Sequence, residues 1–353
     1  MSKTVEPAVR AMELRREFPG GVAVDALTLE VATGSVLALL GPNGAGKTTT
    51  IRLLNGILRP HGGWSRVLGF DPATQGDELR RRTGVLTENA GLDDRLTARE
   101  NLTITARLRG IDATATGRRV DDLLERFGMR SHGDQRCQGF STGQRRRVAL
   151  ARCLIGDPEL VFLDEPTSGL DPAATDDVVG IISELARTRG ATVVLCTHFL
   201  GEAARVADQM AILHAGRLIL SGQPQQLAAE MFPRLEVAID VERSSNAAER
   251  GIPSLVTAEL VDTAGVVSMT TDDLDGNRIH LEVAHRDVIA RVNELLVRRG
   301  IGVVGITTRT RDLSDVYHAV EQQLDPTSRG LRAAERDTAE QESPDSSLVG
   351  APS

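Results

Sequence analysis

Lysine is nearly missing from this 353-residue chain: of 41 basic residues only Lys3 and Lys47 are lysines, and the rest are arginine. Against that background, a lysine set inside a glycine-rich loop, as Lys47 is, is unlikely to be chance. Cysteine is also scarce. Cys137, Cys153 and Cys196 are odd in number and in no metal-ligand spacing, which reads as reduced, mostly buried thiols. No apolar run approaches the ~18 to 20 residues of a membrane helix; Val36–Leu40 and Thr192–Cys196 are strand-sized. The stretch from Met1 to Arg16 has no apolar segment before a small-residue cleavage site, so no signal peptide is expected. An excess of positive charge is absent too: the net charge is −8, which disfavours nonspecific nucleic-acid binding. What is present, 41% apolar and 25% charged residues, suffices for a buried core and excludes a wholly disordered chain. The length predicts two or three domains, and the missing membrane-length run and signal peptide predict a protein that stays in the cytoplasm and does not itself span a bilayer.

Residues 10 to 225 alternate short apolar runs with helical patterns and glycine turns, the texture of a layered α/β domain. Residues 235 to 323 carry a different pattern. Leu235, Val237, Ile239 and Val241 alternate as a half-buried strand does, and Val266–Thr270 and Ile279–Val283 flank a polar turn containing Asp275-Gly276. Val288, Ile289, Val292, Leu295 and Leu296 have helical spacing with Gly300 beyond them. A strand at Gly302–Thr308 and a helix at Leu313–Leu324 complete a small α+β module. The expected domains are 1–228, with a helical subdomain at about 85–155, then 229–324, and a disordered tail at 325–353 too polar to offset its chain entropy.

The strand Val36–Leu40 runs into Gly41-Pro42-Asn43-Gly44-Ala45-Gly46-Lys47-Thr48 and a helical stretch from Thr49 to Leu58. This is Gly-x4-Gly-Lys-Thr in the strand–loop–helix context that makes it a phosphate loop. The glycines let backbone N–H groups turn inward around a β-phosphate, and the helix start adds partial positive charge. Lys47 supplies a compact cation between β- and γ-phosphates, and Thr48 a hydroxyl for Mg²⁺. By itself the loop leaves kinases, GTPases, motors and transport ATPases open.

A second buried strand, Leu160–Leu163, ends in Asp164-Glu165. The first acid suits Mg²⁺, and the second suits a base that deprotonates a water in line with the γ-phosphorus. Upstream, Ser141 in Phe140-Ser141-Thr142-Gly143-Gln144 can cap a helix from about Arg145 to Ile155, giving an anion site at its start. Arg145, Arg146 and Arg147 read as a solvated helix face. Thr97 and Glu100 have capping-box spacing.

The phosphate loop, Phe140–Gln144, Leu163-Asp164-Glu165-Pro166, Ser168-Gly169-Leu170-Asp171 and Thr197-His198 together resemble, in order and spacing, an ABC-transporter ATP-binding subunit over residues 10 to 225. The resemblance implies a P-loop NTPase cassette with a RecA-like core, an antiparallel β subdomain and a helical subdomain. It implies ATP and Mg²⁺ as ligands, with Phe18 stacking on adenine and Gly41 through Thr49 holding the phosphates. Thr48, Asp164 and Glu88 then serve the metal, and Lys47, Glu165 and His198 the chemistry. Two cassettes would face head to tail, each ATP held between one phosphate loop and the partner's Ser141, Thr142, Gly143 and Gln144, with Asp171 crossing the interface. Phe140 stands for the usual Leu of that signature and Thr142 for its first Gly. Glu88 stands where glutamine is usual; its added charge would repel the nucleotide by about 3 kcal/mol at ~5 Å and an effective dielectric near 20.

No long coiled coil interrupts residues 48 to 163, and one cassette is present, so a transport cassette served by a separate transmembrane permease is expected. Arg311-Asp312-Leu313-Ser314-Asp315-Val316-Tyr317 resembles the C-terminal extension of daunorubicin-resistance-type drug-exporter ATPases. That implies efflux of a drug-like, amphiphilic or lipid substrate, from a homodimer peripheral to the cytoplasmic face of the cell membrane and without nucleic acid. An ATP-sensing regulator with little turnover and an importer ATPase stay open as alternatives.

Overall fold

The computed structural model describes residues 6–87, 91–242, 254–271 and 277–324. Glu88, the Asp275-Gly276 turn and the tail at 325–353 lie outside the described residues. Among the described residues, no helix is long and apolar enough to cross a membrane.

A six-stranded sheet forms the centre, ordered β5 (Thr83–Leu86), β6 (Leu160–Asp164), β7 (Thr192–Cys196), β3 (Val36–Leu40), β8 (Gln209–His214) and β9 (Arg217–Gly222). The first five strands run parallel and β9 antiparallel to β8. Every residue of β3, β6 and β7 is buried, which is why each reads as an unbroken apolar run. Strand periodicity then divides each run between two cores. Val161 and Leu163 face one side while Leu160 and Phe162 face the other; Val193 and Leu195 part from Val194 and Cys196 in the same way.

On one side lie an antiparallel sheet ordered β2 (Gly21–Val31), β1 (Val9–Phe18), β4 (Gly62–Val67), with α1 (Lys47–Leu54) and α2 (Gly76–Arg82). Helix α1 is shorter than the predicted 49–58 stretch because Gly56, just past its end, takes a left-handed φ of 68°. On the other side lie α3 (Ala98–Leu108), α4 (Ala113–Arg126), α5 (Thr142–Cys153) and α6 (Pro172–Arg187). The expected box at Thr97 and Glu100 starts α3, and Asp112 caps α4. The three cysteines are buried and free.

Residues 235 to 309 build a second core. The antiparallel sheet β11 (Val266–Thr271), β12 (Arg278–Val283), β10 (Leu235–Val241), β13 (Val303–Arg309) buries Val237, Ile239, Ile279 and Leu281 under α9 (Ser254–Val261) and α10 (Asp287–Arg298). Helix α11 (Leu313–Leu324) packs elsewhere. Its Leu313, Val316 and Val320 bury against Ala38 and Leu40 of β3, Met210 and Ile212 of β8, and helices α7 (Leu200–Val206) and α8 (Pro224–Met231). Three such side chains contribute roughly 1.5–3 kcal/mol each to that attachment. Asp315 also accepts from Arg311 at 2.9 Å and from Arg309, the last residue of β13, at 2.8 Å, which ties the helix to the module's edge strand.

Candidate active site

At the carboxyl ends of the parallel strands, a cleft of about 690 Å³ is lined by Phe18, Ala23, Asn43 through Thr49, Asp164, Glu165, Ser168 and His198. This is where open α/β sheets present their ligand sites, because the loops leaving the strands and the helix N-termini that follow converge there.

The phosphate loop has the backbone its glycines were expected to allow. Gly41 takes φ 150°, and a Cβ there would stand 2.3 Å from the Leu213 carbonyl oxygen. Gly46 takes φ 104°, with a Cβ placed 2.4 Å from the Ala23 carbonyl oxygen. Gly44, at φ 82°, meets nothing within 4 Å, so the space beside it belongs to the cleft. The α1 N-cap is Gly46, with no side-chain capping bond and no acid in the first turn. Its first N–H groups therefore keep their partial positive charge for an incoming anion. Lys47 is 7% exposed, and its Nζ donates to the carbonyls of Gly41 at 2.6 Å and Pro42 at 3.2 Å, which folds the ammonium back over the loop.

Strand β6 delivers the acids. Thr48 Oγ1 donates to Asp164 Oδ2 at 2.7 Å, so one hydroxyl and one carboxylate oxygen meet across the cleft floor. Glu165 is 9% exposed and adopts φ 49°, a left-handed conformation costing an L-residue on the order of 1–3 kcal/mol. Its N–H donates to the Cys196 carbonyl at 2.8 Å, which fixes the turn. His198 Nδ1 lies 2.9 Å from Glu165 Oε2, at ion-pair distance. A carboxylate has about four lone-pair sites, so beside one imidazole it can still take a proton from water. Burial pushes the Cys196 thiol, directly behind these acids, well above its ordinary range, and the Asp164 charge adds to that.

The other predicted residues divide. Phe18 lines the cleft 40% exposed, with the Arg16 guanidinium 4.9 Å from its ring centre. Gly41 and Pro42 act through their carbonyls. Ser141, Thr142, Gly143, Gln144 and Asp171 do not line this cleft. Ser141 and Gln144 form a reciprocal capping box, at 3.0 and 3.3 Å, that opens α5 three residues earlier than the predicted Arg145. Asp171 caps α6 by accepting from the Ala174 N–H at 2.9 Å. The loop before α6 touches the start of α5, since a Cβ on Gly169 would stand 3.4 Å from Thr142 Cγ2.

The three arginines at 145 to 147 do not form the solvated face read from the sequence. Arg146 is buried and donates to the Thr87 carbonyl at 3.3 Å, while Arg145 and Arg147 pair with Asp94 and Asp177, each at 2.6 Å. Consecutive helical positions point in different directions, so a run of three cannot share one face. Ala23 and Ser168 line the cleft without having been singled out as ligands. Ser168 stands inside a quoted motif, whereas nothing local marks Ala23, a small residue that β2 brings against Gly46.

Comparison with known proteins agrees with this geometry. The family model described as "ABC transporter" matches residues 24–168. The chain is 39% identical, over 72% of its length and 76% of the relative's, to the daunorubicin/doxorubicin resistance ATP-binding protein DrrA of Streptomyces peucetius. It is 41% identical, over 84% of its length and 90% of the relative's, to the daunorubicin resistance ATP-binding protein DrrA3 of Streptomyces coeruleorubidus. Among solved structures, an ATP-binding subunit of an ABC transporter superposes with a TM-score of 0.59 at 29% identity, covering 64% of this chain and 93% of that one.

Proposed function

The chain belongs to the ABC transporter ATP-binding proteins, and from that premise we propose how its residues divide the work of an exporter ATPase. The nucleotide's phosphates lie in the N–H cradle of Gly44 through Thr48, with Phe18 under the base. Lys47 exchanges its bonds to the loop carbonyls for the β- and γ-phosphates. Glu165 takes the proton of the attacking water, and His198 sits between that carboxylate and the terminal phosphate.

Thr48 and Asp164 offer Mg²⁺ hard oxygen donors at hydrogen-bond distance from each other, and so small a protein set suits an ion that keeps waters and phosphate oxygens. Bound there, Mg²⁺ would neutralise charge on the β- and γ-phosphates. Glu88 is carried as a further oxygen donor on its sequence position alone.

The residues outside the cleft have a use in a second cassette, by homodimer: Ser141 to Gln144 and Asp171 close over the partner's nucleotide. A separate transmembrane permease carries the cargo, read as drug-like, amphiphilic or lipid, and the ATPase pair sits on the membrane's cytoplasmic face. The sensing and importing alternatives are not favoured, since the relatives above are named as drug-resistance subunits.

The observation that carries this reading is the buried Glu165 carboxylate, strained and paired with His198 at 2.9 Å, in one cleft with Lys47, Thr48 and Asp164. Glu165→Gln is expected to keep ATP affinity and to lower turnover by roughly 10²–10⁴-fold, measured as phosphate release by the subunit with its permease. Turnover within about threefold of wild type would remove Glu165 as the base.

A further inference from the structure

We infer that Glu202 is a positioning residue that fixes Glu165 and His198 relative to each other, an inference that rests on the hydrolytic reading above. Glu202 sits in the first turn of α7, four residues past His198. Its carboxylate Oε2 accepts from the hydroxyl of Thr167, a fully buried residue two positions past Glu165. Thr167 belongs to the turn that Glu165 opens: the Ser168 N–H donates to the Glu165 carbonyl at 3.3 Å and the Leu170 N–H to the Thr167 carbonyl at 3.1 Å. At the other end, the Phe199 N–H donates to Thr197 Oγ1 at 3.0 Å and holds the His198 loop against β7. One hydrogen bond therefore joins the two loops whose side chains meet at Glu165 and His198.

Nothing else among the described residues explains a carboxylate at this place. It is partly buried with no cation against it at ion-pair distance. The nearest positive groups on its own helix and loop are Arg205, committed to Asp176 at 2.5 Å, and His198, committed to Glu165. Burial and the like charge of Glu165 push its pKa above the usual carboxylate range, opposed by the Thr167 bond and by the charges of His198 and Arg205. What the group does at this place is geometric: its oxygen holds the Thr167 hydroxyl across the two loops. The strained φ of Glu165 needs an anchor, because a non-glycine residue left free would relax out of that region. The Glu165 N–H bond to the Cys196 carbonyl supplies one, and the bond from Thr167 to Glu202 adds a second from outside the turn.

The test is steady-state ATP hydrolysis by the full chain, with thermal unfolding and binding of a fluorescent ATP analogue measured alongside. Glu202→Ala and Thr167→Val are each expected to lower kcat about tenfold, with KM for ATP within about twofold. Glu202→Gln keeps an acceptor oxygen for Thr167 and is expected to retain kcat within about threefold. The double variant Thr167→Val with Glu202→Ala should be no slower than either single, because both remove one interaction. Additive losses, a rise in KM matching the fall in kcat, or Glu202→Gln as slow as Glu202→Ala would overturn the assignment. Should Glu202→Ala fail to fold, Thr167→Val against Glu202→Gln decides it. Failure of the hydrolytic reading is separately visible, because Glu165→Gln would then turn over normally.

Discussion

Helices α1 and α5 both begin at a glycine-bearing turn, and they treat their first N–H groups in opposite ways. At α1 the cap is Gly46, which brings no side chain, so the N–H groups open onto the cleft. At α5 the cap is Ser141, whose hydroxyl and backbone are both engaged by Gln144, so that helix start is complete within its own chain. An uncapped start is built for an anion; a capped one holds its shape without a ligand and presents its exposed polar atoms to whatever approaches. The two ends therefore follow different physics: α1 depends on glycine backbone freedom, and α5 on side-chain hydrogen bonds.

Substitutions can break or sharpen that contrast. The largest effect is expected at the loop. Gly46→Ala puts a Cβ 2.4 Å from the Ala23 carbonyl in a left-handed conformation, so nucleotide affinity should fall at least about 100-fold with a lowered unfolding midpoint, read by fluorescent ATP-analogue titration. Gly143→Ala has its nearest neighbour at 3.9 Å and should leave that titration unchanged in the single subunit. Equal losses at both glycines would erase the distinction between the two helix starts.

Next is Ser141→Ala, which removes the capping acceptor and should cost about 1 kcal/mol in urea unfolding. Binding by the single subunit should stay as it was, while turnover by the assembled pair falls. An affinity loss in the isolated subunit would move Ser141 into the cleft.

The smallest effect is a reporter at the far end of α5. Burial pushes the Cys153 thiol up to about 12, so at pH 8 the thiolate that reacts with iodoacetamide is scarce in the folded chain and labelling waits for opening. Mass spectrometry should find Cys153 labelled only slowly, and a few-fold faster in Ser141→Ala because losing the cap eases opening by the same ~1 kcal/mol. An unchanged rate would mean that α5 is held by its packing alone.

Much of the site was legible because its signals are local. Glycine at positions needing positive φ, a lysine in a chain almost without lysine, two acids at the end of an apolar strand, and Thr97 with Glu100 each state their chemistry within a few residues. The buried strands were legible for the same reason, as runs of five apolar residues or nearly so. What stayed hidden depends on partners distant in the chain. Arg146 turned inward because of the helix phase of α5, Ala23 entered the cleft because β2 crosses Gly46, and Glu202 found Thr167 35 residues away. Helix α11 has the plain i, i+3, i+7 spacing of Leu313, Val316 and Val320, which says that one face is buried but not against what.

The sequence alone determined which groups could do chemistry, because phosphate cradles, capping boxes and strand-end acids are set by steric rules acting over four to eight residues. Only the tertiary structure decided which of them share one cleft. The order β6, β7, β3 sets Asp164 and Glu165 opposite a loop over a hundred residues earlier in the chain, while Ser141 and Asp171 are left facing elsewhere. Strand order is fixed by summed burial on two faces of a sheet, a quantity spread over the whole chain that no short segment contains.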